Sequence, residues 1–139
     1  MFASAMLTCA VLLGLGFIHF YWALGGSYAK NEAIPSSANG RPVLSPRPFI
    51  TAAIGAALFA MAGLVGAAGG LIATPTSSLL VKVPTALLAF VFFARGVGDF
   101  RYVGFFKSVK GSLFALRDTY FYSPLCMALA AMIAVVAAH

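Results

Sequence analysis

Three stretches of the chain carry no Asp, Glu, Lys or Arg: residues 3–24, 48–81 and 119–139. A helix needs about 20 predominantly apolar residues to cross a hydrocarbon layer ~30 Å thick, so each stretch is long enough to span a membrane. The second exceeds one crossing, and it breaks at Thr74, Pro75, Thr76, Ser77 and Ser78, which offer turn and capping groups but little apolar surface. The pattern therefore predicts spans at about 3–24, 49–72, 79–98 and 121–138. The fold class expected is an all-α membrane protein, a four-transmembrane-helix bundle forming one integral domain over residues 1–139.

The third span has two readings, because Lys82 and Pro84 lie near its start and Arg95 and Asp99 near its end. It begins at Pro84, where the missing N–H costs nothing, and runs on through Tyr102 to Phe106. Alternatively it begins near Ser78, Pro84 kinks it, and Lys82 snorkels to the surface. The second span is poor in bulk: Ala52, Gly55, Ala56, Ala60, Gly63, Gly66, Ala67 and Gly70 recur at three- and four-residue spacing. Small residues at these intervals let backbones approach closely in lipid, which predicts a buried, central helix. Gly66 and Gly70 form a GxxxG pair, either packing within the chain or serving as a homo- or hetero-oligomer seam.

Composition excludes a soluble domain. Apolar residues make up 62% of the chain and charged residues 9%, whereas a water-exposed surface calls for about a quarter charged. The net charge of +6 is unevenly placed. Lys30, Arg41 and Arg47 fall in the first loop and Arg95, Arg101, Lys107, Lys110 and Arg117 around the third, leaving only Lys82 for the other side. Cations collect on the cytoplasmic side, so both termini are expected outside the cell (inner) membrane. The first residues, Met-Phe-Ala-Ser, lack the charged region of a cleaved secretory signal. Membrane lipids are the expected partners, because such cations meet anionic headgroups first; no nucleic-acid module is present. Cys9 and Cys126 fall at different depths, too far apart for an easy disulfide.

Loop one, residues 27–47, is rich in Pro, Ser, Asn and Gly, and reads either as a solvated connector or as a lid over the inner face. Loop three interleaves Phe100, Tyr102, Phe105, Phe106 and Phe114 with Arg101, Lys107, Lys110 and Arg117, the composition of an interfacial segment.

The polar residues that accompany the helix ends are the candidates for chemistry. Span one ends in His19, Phe20, Tyr21, Trp22, Ala23, Leu24, Gly25 and Gly26. An ionisable group within a span faces the interior by default, which singles out His19. Arg95 and Asp99 are four apart and share a face if the helix continues, so they are expected to pair. Arg117 and Asp118 form a second opposite pair before span four. Topology brings all of these to the inner interface, where His19, Tyr21, Trp22, Arg95, Asp99, Arg101 and Tyr102 are expected to form a polar pocket for an anionic lipid headgroup or small amphiphile. Arg95 and Arg101 would be the charge partners, Asp99 would orient Arg95, His19 would be a hydrogen-bonding contact, and Trp22 and Tyr102 would be walls. The competing readings are ion pairs that merely pin helix ends, an accessory or interaction subunit, and a membrane-embedded enzyme using His19 as a base. Catalysis has little support, since no nucleophile stands beside His19 in sequence and no cluster suggests a metal. No cofactor is expected.

At these same residues the sequence resembles a family of small four-span bacterial membrane proteins known as a domain of unknown function. The resemblance rests on His19-Phe20-Tyr21-Trp22-Ala23-Leu24-Gly25-Gly26, on RGVGDFRYVGFFK from Arg95 through Lys107, and on Asp118-Thr119-Tyr120-Phe121-Tyr122-Ser123-Pro124-Leu125-Cys126. It implies four spans and a bacterial membrane, and brings no reaction with it.

Overall fold

The structure, a computed structural model, describes residues 1–73 and 78–139. The helices are α1 (Phe2–Ala23), α2 (Lys30–Ala33), α3 (Pro48–Ala68), α4 (Ser78–Val97), α5 (Leu113–Arg117) and α6 (Ser123–Ala138), with a π-helical turn over Asp118–Tyr122 joining α5 to α6. Four continuous helical stretches are long and apolar enough to cross a membrane: Phe2–Ala23, Pro48–Ala68, Leu79–Val97 and Leu113–Ala138. The chain is an all-α, multi-pass membrane protein. The described residues contain no strand, only an isolated bridge between Ser36 and Pro42.

The helix ends follow from local chemistry. Pro48 opens α3 in its first turn, where a missing N–H is tolerated. That helix stops at Ala68, short of the expected 72, because Gly70 turns at φ +74° and Leu71 and Ile72 both send their N–H back to the Gly66 carbonyl. Gly66 and Gly70 therefore do not share a helical face, as a GxxxG seam would require. Helix α4 begins at Ser78 with Pro84 inside it, and it ends at Val97 rather than running on to Phe106. The turn expected at Thr74, Pro75, Thr76 and Ser77 lies outside the described residues. The fourth stretch begins at Leu113, earlier than expected, where the Ser112 hydroxyl oxygen accepts the Ala115 N–H at 3.1 Å and caps α5.

Helix α1 lies along α3 and α4 along α6, while α1 touches α6, and α3 touches α4, more lightly. Small residues set the α1–α3 approach: a Cβ on Gly55 would stand 3.1 Å from the Gly16 carbonyl oxygen. Phe59 fills the space beside this contact, its ring 5.0 Å from Phe17 and 5.4 Å from Phe20 between centroids. Leu12, Val65, Leu129, Ile133 and Val136 are fully buried where the helices meet. Large apolar side chains such as Phe17, Leu87 and Phe90 point outward, which in lipid carries no hydrophobic penalty.

Candidate functional site

Beyond α4 the chain folds back on itself. Gly98 turns at φ +97° and Gly104 at φ +89°, and their backbones touch, so that a Cβ on either would overlap the other residue. The returning strand of chain satisfies the orphan carbonyls of α4: Phe105 N–H donates to Gly96 O at 3.0 Å and Phe106 N–H to Val97 O at 3.4 Å. The turn is pinned by Asp99, whose Oδ1 accepts the N–H groups of Arg101 (2.9 Å), Tyr102 (2.7 Å) and Val103 (2.9 Å). Desolvation is the largest single influence and pushes the Asp99 carboxyl upward, but the N–H donors of Val103, Arg101 and Tyr102 together outweigh it and hold its pKa below the ordinary value.

This fold-back delivers two donors to Asp118, which is fully buried. Its Oδ2 accepts the Gly104 N–H at 2.7 Å and Lys107 Nζ at 3.0 Å, and its Oδ1 accepts Arg95 Nη2 at 2.9 Å. Lys107 also donates to Gly104 O at 2.9 Å and to Thr119 Oγ1 at 2.6 Å, which uses all three ammonium protons. The side chain of Lys107 is 2% exposed and that of Arg95 34%, so the pair with Lys107 is sealed while Arg95 reaches toward open space.

The expected pairing of Arg95 with Asp99 is thus corrected. An i, i+4 contact needs a continuing helix, and the left-handed Gly98 ends the helix between the two residues. Loop three is also less superficial than its composition suggests: Lys107 and Phe114 are buried, whereas Phe100, Phe105 and Phe106 stay exposed.

Arg95 opens onto a cavity of about 480 Å³ between α1 and the π turn and α6. Leu15, Ile18, Leu125 and the Cys126 thiol, the lining residues furthest from the helix ends that meet here, give it an apolar wall; at those ends, which form its mouth, stand His19, Trp22, Glu32, Arg95, Arg117 and Tyr122. His19 Nδ1 lies 2.7 Å from the Leu15 carbonyl oxygen. That oxygen only accepts, so the proton sits on Nδ1 and Nε2 is left free. The Trp22 ring meets His19 edge-on at 5.1 Å, and its Nε1–H donates to Tyr28 O at 2.8 Å. A second, mainly apolar cavity of about 180 Å³ lies on the other side of His19 and Trp22, beneath Ile34, Leu44 and Pro46 of loop one.

Loop one is ordered by contacts that reach across the mouth. Glu32 of α2 pairs with Arg117 at 2.9 Å, and Tyr122 Oη donates to Glu32 O at 3.5 Å. Tyr28, Ala29, Glu32 and Ala33 of this segment thus line the cavity together with α1 and the π turn.

Of the residues expected to converge, His19, Trp22 and Arg95 line the cavity together. Tyr21, Asp99, Arg101 and Tyr102 do not line it. Tyr21 packs over Gly26, Arg101 stacks on the Tyr102 ring at 5.2 Å, and Asp99 is occupied by its own turn. Arg117 and Tyr122, which topology brings to the same end, line it too; Glu32 and Cys126 enter the lining unforeseen, and Asp118, itself tied to Lys107, holds Arg95 from behind. Cys9 and Cys126 are free thiols, and Cys9 donates to Ala62 O at 3.3 Å.

Residues 12–133 match the family described as a protein of unknown function, DUF3995. No curated protein and no solved structure matches the chain.

Proposed function

The chain belongs to this family, whose description assigns no reaction, and from the cavity's own chemistry we propose that the protein binds the anionic headgroup of a membrane amphiphile between α1 and α6. One observation carries this reading: a single cavity is lined by apolar side chains well inside α1 and α6 and, at the helix ends that form its mouth, by two guanidinium groups. An acyl chain suits the first and an anion the second. Arg95 gives Nη2 to Asp118, but its Nη1 is buried without a partner. The side chain is nonetheless 34% exposed where it lines the cavity, so the N–H groups that Asp118 leaves free on that side can donate to a headgroup oxygen. His19 Nε2 and Tyr122 Oη are left as acceptors, able to take a headgroup hydroxyl rather than its anionic oxygens, and Trp22 forms a wall.

In this reading the basic loops face the cytoplasm and both termini lie outside the cell membrane. All three carboxylates and eight of the nine cations belong to the loop side, leaving Lys82 alone on the other. A reporter fused to the C-terminus should be active only outside; activity inside the cell would reverse the assignment.

Native mass spectrometry of the full chain with phosphatidylglycerol tests the binding. Arg95→Ala leaves Asp118 its Lys107 partner, so the fold persists, and the bound-lipid population should fall about tenfold, the worth of one charge-assisted hydrogen bond. Bound lipid should also slow maleimide labelling of Cys126. Undiminished lipid binding by Arg95→Ala would refute the proposal.

A further inference from the structure

The charged groups at and behind the cavity do not cancel. Arg95, Lys107 and Arg117 are opposed by Asp118 and Glu32, a surplus of one positive charge. The two carboxylates stand differently. Asp118 is sealed and tied to Lys107, Arg95 and a backbone N–H, so it belongs to the scaffold. Glu32 is the one carboxylate that lines the cavity itself. It stands at the mouth, on α2, 2.9 Å from Arg117, with its side chain 31% exposed and that of Arg117 54% exposed. An anion entering the mouth meets both Arg117 and the carboxylate already paired to it.

Resting on the proposed function, we infer that Glu32 sets the charge of the acceptable ligand, and that the ligand is a monoanionic phosphodiester amphiphile. One negative charge balances the surplus. A phosphomonoester, carrying close to two charges at pH 8 because its second pKa is about 6, would bring an excess negative charge against Glu32. The carboxylate thus selects by repulsion, in addition to whatever the guanidiniums attract. It also occupies Arg117 in the empty protein, so a ligand that takes Arg117 must loosen the tie between α2 and α5.

The test is competition by native mass spectrometry at pH 8, with the full chain offered equimolar dioleoyl-phosphatidylglycerol and dioleoyl-phosphatidate. The native chain should favour the diester. Glu32→Gln keeps the size of the side chain and breaks only a partly exposed ion pair, so folding is retained. Removing its charge should shift the diester-to-monoester ratio about fivefold toward the monoester, the scale of one screened unit interaction across the mouth. Arg117→Gln should weaken both lipids without that shift. An unchanged ratio in Glu32→Gln, while Arg95→Ala still loses lipid, overturns this inference alone; retention of lipid by Arg95→Ala overturns the binding site beneath it. Displacement of the lipid by chain-free glycerophosphoglycerol at equal concentration would overturn the amphiphile assignment.

Discussion

Replacing Asp118 with Asn probes the buried ion cluster most directly. The side chain keeps its shape and loses its charge. Lys107, with a side chain 2% exposed, is then left as a buried ammonium facing neutral dipoles, and the Gly104 N–H must share an amide in which one end is itself a donor. Arg95 suffers less, because its side chain is 34% exposed and opens onto the cavity. Removing one partner of a buried ion pair costs about 3–5 kcal/mol. Against a total stability of about 5–15 kcal/mol this is a large fraction. In thermal unfolding it corresponds to a fall in Tm of about 10–15 °C for a chain of this size. The two free thiols, both within spans, provide the assay: a fluorogenic maleimide reports their exposure as the protein unfolds in detergent. A second variant identifies the cause. Adding Lys107→Met to Asp118→Asn removes the stranded charge and should recover more than half of the lost stability. A Tm within about 3 °C of the native protein for Asp118→Asn, or a double variant no more stable than the single, would refute the account of Asp118 as the counter-ion that permits Lys107 to be buried.

Three further outcomes follow from local geometry. Gly98→Ala should unfold or misfold the chain, because its methyl group meets the Val103 carbonyl and the residue must hold φ +97°. By contrast Gly63→Ala, with nothing within 4 Å, should raise stability by up to about 1 kcal/mol through helix propensity; both are read by the same thiol-exposure melt. Acid should loosen the Asp99 turn late. Its folded pKa is depressed, so the turn gains stability above the unfolded carboxylate pKa and loses it only as pH falls through the lower folded value. The amide resonances of Arg101, Tyr102 and Val103 should therefore shift together with a midpoint below about 3.9, the ordinary Asp value; a midpoint above it would contradict the three-donor arrangement.

The spans were legible because bilayer thickness is a length criterion and charge-free runs meet it regardless of packing. The close contact of α1 with α3 was half visible: the small residues of span two were plain, but Gly16, the residue that Gly55 meets, belongs to a run that otherwise reads as bulky. The site was read less well, for a geometric reason. Sequence spacing predicts neighbours only while a helix continues, and Gly98 stops α4 between Arg95 and Asp99. The actual partner of Arg95 is 23 residues on and that of Lys107 is 11 residues on, distances set by the fold-back rather than by any periodicity. A signal for Asp118 was nonetheless present: one of only three carboxylates stands immediately before a long charge-free run, where an unpaired charge would be costly. Glu32 carried no such mark, since its pairing with Arg117 depends on how loop one crosses the mouth.

The π turn gives the length of the chain between Arg117 and Pro124 a meaning of its own. The Asp118 carbonyl accepts from the Ser123 N–H, one position later than in an α-helix, and Pro124 brings no N–H to restore the usual spacing. Five residues here close the turn that four close in an α-helix, so deleting one of residues 120–122 would let an ordinary turn form and leave the elements on either side close to their present orientation. The acid would keep facing its two cations, whereas the same loss further along α6 would rotate everything upstream by about 100° around the axis. A one-codon loss here should therefore be less damaging than one inside α6.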